Sequence, residues 1–169
     1  MDMFNSRVNS LDLNTLVYEE WRSQFHLVKN KATDLYYKRL RDVIGVSNSR
    51  IFTTLPSGYG ALTSNQGDTL YVWPGDHVIT SEVTWAKNTT NLIGVGSNRN
   101  QRHQPSTLTA GGIRITCKTT TVPYCIMFSG RYVNMKNIGT INTAAATSNL
   151  GDIHVTGRNF LSENCAFRG

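Results

Sequence analysis

The chain has 169 residues, 39% hydrophobic and 17% charged, with a formal net charge of +6. That length allows one domain with an extension and a real core, and no apolar run approaches the roughly 20 residues of a membrane-spanning helix. Charge is dispersed, with eight Lys/Arg against six Asp/Glu in residues 1–50 and nine against five in residues 51–169, so the clustered basic stripe of a nucleic-acid-binding face is not expected.

The amino-terminal MDMFNSRVNSLD lacks the basic start and apolar stretch of a secretory signal, which points to synthesis in a cytosol. Its first ten residues read as a tail, or as an arm that orders on a partner. Residues 12–44 read as helix. Leu13, Val17, Trp21, Phe25, Val28, Ala32, Leu35, Leu40 and Val43 recur mostly at steps of three and four, the spacing of one helical face. Asp12 or Asn14 caps its start, Gly45 ends it, and Asn30 marks a place for a break. Such an apolar stripe must be covered. Either it packs on the rest of the chain, or residues 1–50 are an arm and helical anchor that docks on a partner through Leu13, Val17, Trp21, Phe25, Val28 and Leu35.

After Arg50 the period changes to that of strands. IFTTLPSGYGALTSNQG reads as a short strand, a turn at Pro56, and a short helix or turn ending near Gly67. Alternating apolar runs follow at 69–73, 77–80, 83–85, 91–95, 113–117, 125–128, 132–135, 152–155 and 160–164, separated by Gly, Asn, Asp and Pro. Many short strands with close turns suggest a sandwich, a barrel or a solenoid.

Internal repetition favours the solenoid. MFSGRYVNMKNIG (127–139) and HVTGRNFLSENCA (154–166) align without a gap, setting Gly130 on Gly157, Arg131 on Arg158 and Asn137 on Asn164. TWAKNTTNLIGVG (84–96) aligns 43 residues before the first, with Trp85 on Phe128 and Asn91 on Asn134. In a parallel β-helix, successive coils lie about 4.8 Å apart, so like side chains stack. Glycine is then expected at a recurrent sharp turn, and Asn137 over Asn164 suggests an amide ladder. The polar stretch 97–112 is read as a loop inserted into one coil.

The segment GDTLYVWPGDHVITSEVTWAKNTTNLIGVG (67–96) resembles the first coil of the pectate-lyase-like right-handed parallel β-helix superfamily, in which a GD-strand-PG-strand unit is followed by NxxLIGxG. The resemblance implies a mainly β chain, a solenoid over 51–169 preceded by an α-helical segment. ALTSNQ is similar to the short helix capping such solenoids. A helical extension followed by this coil also resembles β-helical virion proteins of tailed bacteriophages. That likeness implies a structural head decoration or fibre protein, assembled in the host cytoplasm into the virion. Its partners would be the major capsid protein or other virion proteins and its own copies, as a homotrimer. The alternatives are a tail spike or fibre that binds or cleaves host surface glycan, and a cellular carbohydrate-binding or lyase-like protein. The chain stops at AFRG just past a strand, so the solenoid is expected either to continue or to be covered by a partner there.

The residues offer little catalytic chemistry. After Arg50 the acids are Asp68, Asp76, Glu82, Asp152 and Glu163, and the repeat places no two on adjacent coils as glycosidic hydrolysis requires. His26, His77, His103 and His154 lack a second ligand at metal spacing, and Cys117, Cys125 and Cys165 lack CxxC spacing. No metal, cofactor or catalytic residue is therefore expected. Arg131 and Arg158, one coil apart, form a candidate basic ridge for surface binding. Tyr71, Trp73, Trp85 and Tyr132 read as core before they read as stacking platforms.

Overall fold

The structure, a computed structural model, describes residues 24–95, 112–118, 122–143 and 151–168. The chain is mainly β. Its described strands are β1 (Gln24–Leu27), β2 (Ile51–Phe52), β3 (Thr69–Val72), β4 (Gly75–Ile79), β5 (Val83–Trp85) and β6 (Asn91–Gly94). Then come β7 (Ile113–Cys117), β8 (Ile126–Phe128), β9 (Asn134–Lys136), β10 (Gly139–Asn142), β11 (Ile153–Val155), β12 (Leu161–Glu163) and β13 (Ala166–Arg168). They form three sheets: sheet A in the order β12-β9-β6-β3-β1-β2, sheet B in the order β13-β10-β7-β4, and sheet C in the order β11-β8-β5. Every pairing is parallel. From β3 onward the chain visits A, B and C in unbroken rotation, each visit one strand further along.

The register follows the sequence repeat. Asn91 lies beside Asn134 and Trp85 beside Phe128, each 43 residues on. Phe128 lies beside Val155 and Asn134 beside Leu161, each 27 residues on. The first circuit is shorter, Thr69 lying 22 residues before its neighbour Asn91. Most of the added length falls between strands of sheets A and B: β3 and β4 are two residues apart, whereas Gly94 and Ile113 enclose 95–112; the rest falls between sheets B and C, where 80–82 becomes 118–125. That interval contains the segment read as an inserted loop, most of which lies outside the described residues.

Alternation aims one set of side chains inward. Leu70, Leu92 and Met135 stack from sheet A, Val83 and Ile126 from sheet C, and all are buried. Trp85 and Phe128 form the aromatic spine, with ring centroids 5.9 Å apart, extended by Tyr59 at 4.7 Å from Trp85 and Phe160 at 4.7 Å from Phe128. The Trp85 indole N–H is satisfied within the core by Thr90 Oγ1 at 2.8 Å.

Helix α2 (Leu55–Ala61) packs beside β1 and β2 at the amino-terminal end of this core. Thr54 caps its start, Pro56 sits in its first turn where no N–H is needed, and its C-terminal carbonyls converge on Lys87. Lys87 Nζ donates to the carbonyls of Tyr59, Gly60 and Leu62 at 3.0, 2.8 and 2.5 Å.

The expected helix over 12–44 is corrected where the chain is described. Residues 24–27 are a strand between β2 and β3, not helix. Phe25 and Leu27 face the main core, while His26 and Val28 face the other side of sheet A. A helical period had put Phe25 and Val28 on one face; a period of two sends them to opposite faces. Among the described residues helix begins at α1 (Leu35–Lys38), capped by Asp34, and continues as a π-helical stretch, Arg39–Ile44, while residues 12–23 of the expected helix lie outside the described residues. Gly45 ends it at φ 81°, as expected of this residue. Tyr37, Leu40 and Val46 from this segment close over Val28 and Ile51, forming a second small core on the outside of sheet A.

Candidate functional site

The corner joining sheet C to the next strand of sheet A is built alike in all three circuits. Residues 86–90, 129–133 and 156–160 make it, five each time. Thr89, Tyr132 and Asn159 occupy the same place in it, and each adopts a left-handed backbone, at φ 50°, 57° and 59°. Thr89 N donates to Arg131 O at 2.8 Å and Tyr132 N to Arg158 O at 3.0 Å, so the corners are hydrogen-bonded one above the next. Asn88 Oδ1 accepts from Arg131 N at 2.9 Å.

Gly130 and Gly157 precede the arginines. Their role differs from the sharp turn expected of them, since neither has a left-handed φ. Side-chain volume is what excludes other residues: a Cβ on Gly130 would meet Lys87 O, and one on Gly157 would meet Gly130 O, closer than atoms pack. The corners rest backbone upon backbone.

This stacking leaves Arg131, Tyr132, Arg158 and Asn159 exposed on one edge, Tyr132 at 60%. Among the described residues neither guanidinium has an ion-pair or hydrogen-bond partner, and the Tyr132 side chain has no ring or polar partner. The two arginines stand at like positions of adjacent circuits, as their alignment sets them, whereas Tyr132, read first as core, is exposed. The signal for its exposure was its alignment with Thr89 and Asn159, two polar residues.

The amide ladder is displaced from its expected place. Asn134 Nδ2 donates to Asn91 Oδ1 at 2.8 Å, and Asn91 Nδ2 to Thr69 Oγ1 at 3.2 Å. Asn137 and Asn164 instead share a left-handed conformation, φ 57° and 56°, and Asn137 Nδ2 reaches Gly94 O at 3.5 Å.

The remaining candidates are structural. His26 is buried beneath the second core, accepts from the Trp73 indole at Nδ1 (3.2 Å) and stacks on Tyr71. Burial, then the nearby Arg50 charge, lowers its pKa to about 4. His77 is buried and hydrogen-bonds Trp73 O at 2.8 Å; burial lowers its pKa. Burial works to raise the Asp76 pKa, but hydrogen bonds from Arg114 and Thr116 outweigh it and hold this carboxylate below its ordinary value. Asp152 is buried and accepts from Asn142 N at 2.7 Å. Glu163 faces outward as expected and pairs with Lys136 at 2.7 Å. Cys117 and Cys125 are buried thiols, while Cys165 is half-buried. Among the described residues no three His, Cys, Asp or Glu side chains are grouped to hold a metal.

A recess of about 370 Å³ is lined by Lys29, Asn30, Thr33, Asp34 and Pro74. Both Asp34 oxygens there are engaged by backbone, from Lys29 N and Tyr36 N. Of the proposed anchor residues, Leu13, Val17 and Trp21 lie outside the described residues. Phe25 packs on the main core, Val28 is fully buried in the second, and Leu35 is 76% exposed. At the far end Val155, Leu161 and Phe167 are exposed on the last described strands. No family model, curated protein or solved structure matches the chain.

Proposed function

We propose that the chain is a right-handed parallel β-helix that serves as a structural component of a virus particle, a head decoration or fibre protein of a tailed phage. The observation that carries the reading is the unbroken A-B-C rotation of parallel strands, with like residues in register over offsets of 43 and 27. Such a stack is stiff along its axis, because each circuit is hydrogen-bonded to the next throughout, and this suits an appendage. The likeness of residues 67–96 to the first coil of the pectate-lyase-like superfamily supports the fold, and the layout of the chain supports the virion role. In this reading the amino-terminal residues dock on the major capsid protein or on sister subunits, and the protein works as a homotrimer.

Antibodies raised against the purified chain should label intact particles at sites set by capsid symmetry. Particles that never carry the protein would overturn the role. Deleting residues 1–23 leaves every described strand intact and tests the anchor. The truncated protein should remain folded by circular dichroism and lose its place on the particle. Full loading would remove the anchor from the proposal.

A further inference from the structure

We infer that Cys117 and Cys125 form a disulfide when the chain folds in an oxidising medium, a covalent latch across the corner between sheets B and C. The inference stands apart from the virion role and survives its failure.

Register places the pair. Cys117 is the last residue of β7 and lies beside Asn142 of the next circuit. Cys125 directly precedes β8, as Asp152 precedes β11 on the strand beside it, and Cys125 N donates to Asp152 O at 2.9 Å. Asn142 and Asp152 therefore hold the same two positions one circuit on, and they touch: Asn142 N donates to Asp152 Oδ1 at 2.7 Å. A short side chain spans this corner.

In the second circuit both positions carry sulfur. The Cys125 thiol donates to Ile141 O at 3.3 Å, one residue from Asn142 on the strand beside β7. It also meets Cys117 directly, hydrogen-bonding with the thiol and the backbone of that residue. Both side chains are fully buried in the main core. Cys165 is no competitor, since it lies at a corner between sheets A and B and its thiol donates to Met135 O and Glu163 O.

This corner is where a latch has an effect. Its length differs in every circuit, 80–82, 118–125 and 143–152, so like residues do not stack along it throughout. Asn142 ties it in the third circuit, its Nδ2 donating to Pro123 O and Gly151 O at 3.1 Å each. A Cys117–Cys125 bond would tie it in the second, closing a nine-residue loop and restricting chiefly the unfolded chain.

Formation is a thiol–disulfide exchange with glutathione disulfide as the oxidant. One cysteine thiolate attacks it and releases one glutathione; the second attacks the protein sulfur of that mixed disulfide and releases the other. The protein thiols are oxidised, the glutathione disulfide is reduced, and the two thiol protons end on the two glutathiones. Burial, then the neighbouring Cys117, pushes the Cys125 thiol up, which keeps it protonated and unreactive in the closed fold. The exchange thus accompanies folding, and a reducing cytosol leaves both thiols free.

The full chain carrying Cys165→Ser should be unfolded, reduced, and refolded either in mixed oxidised and reduced glutathione or in reductant alone. The oxidised product should lose the mass of two hydrogens, and trypsin should release residues 115–118 joined to 119–131. Its Tm should exceed that of the reduced product by about 5–10 °C. Adding Cys125→Ala should abolish the joined peptide and bring the two Tm values together. Free thiols at 117 and 125 after oxidative refolding, or glutathione retained on either, would overturn the inference. So would a linked chain that melts no higher than the reduced one, or a Tm difference that persists in Cys125→Ala.

Discussion

Lowering the pH should unlatch the outer core of sheet A through one histidine. His26 is 4% exposed, and its Nδ1 accepts the Trp73 indole N–H, so the neutral ring carries its proton on Nε2. Protonation would set two donors, Trp73 Nε1 and His26 Nδ1, against each other, in a place that burial and Arg50 already make hostile to positive charge. With its pKa lowered from 6.5 to about 4, the folded protein resists a proton that the unfolded chain takes up below pH 6.5. The stability this neutral ring contributes is therefore complete above that pH and lost as pH falls toward 4. At 1.36 kcal/mol per unit, the loss by pH 4 is on the order of 3 kcal/mol. His77, also lowered by burial, acts in the same direction. Asp76, lowered despite its burial, loses its contribution at more acid pH, below the ordinary carboxylate value. Urea unfolding followed by tryptophan fluorescence from pH 7.5 to 4 measures the slope. His26→Gln retains an acceptor for Trp73 without titrating, and it should remove most of the slope between pH 6.5 and 4. A wild-type curve flat over that window, or an unchanged slope in His26→Gln, would refute the argument.

Three substitutions and one control test the packing. Gly157→Ala drives a methyl into the Gly130 carbonyl and should cost about 1–3 kcal/mol of unfolding free energy; Gly60→Ala, in open space on α2, should be neutral or stabilising by comparison in the same denaturation assay. Thr140→Val removes a buried hydroxyl that has no hydrogen-bond partner among the described residues and should stabilise by about 1 kcal/mol, seen as a raised Tm. Lys87→Met strips three carbonyls at the end of α2 of their shared donor, and a loss of about 2 kcal/mol is expected, with amide exchange accelerating first in residues 55–62.

What was legible in the sequence was repetition. Aligning SGR at 129–131 with TGR at 156–158 reproduces the strand register residue for residue, because stacked circuits require like side chains in like places. The displaced asparagine ladder shows the limit of that reading: alignment places Asn137 near Asn164 but does not say whether an amide turns outward along the axis or back to a carbonyl. Strands β10 and β13 escaped notice because Gly139–Asn142 and Ala166–Arg168 contain too few alternating apolar residues to stand out. β1 was misread for a different physical reason. Gln24–Leu27 lies between helix α2 on the inner side and the second core of Tyr37 and Leu40 on the outer side. A strand buried on both sides loses its alternation, and its apolar residues then fit a helical stripe equally well.

The three corners of each circuit are not equally free to vary in length. Between sheets A and B the link grows from two residues to the eighteen of 95–112 and returns to two; between sheets B and C it lengthens from 80–82 to 118–125 and 143–152. The corner between sheets C and A holds at five residues throughout, with its left-handed position at Thr89, Tyr132 and Asn159. Its backbones pack too closely to admit a Cβ at 130 or 157, so an added residue there would break the column above and below it. Length can be inserted where the chain loops away from the stack, but a side chain can be held at a fixed height only where it cannot. The corner that tolerates no insertion is thus the one that holds Arg131, Tyr132 and Arg158 at fixed heights on the column.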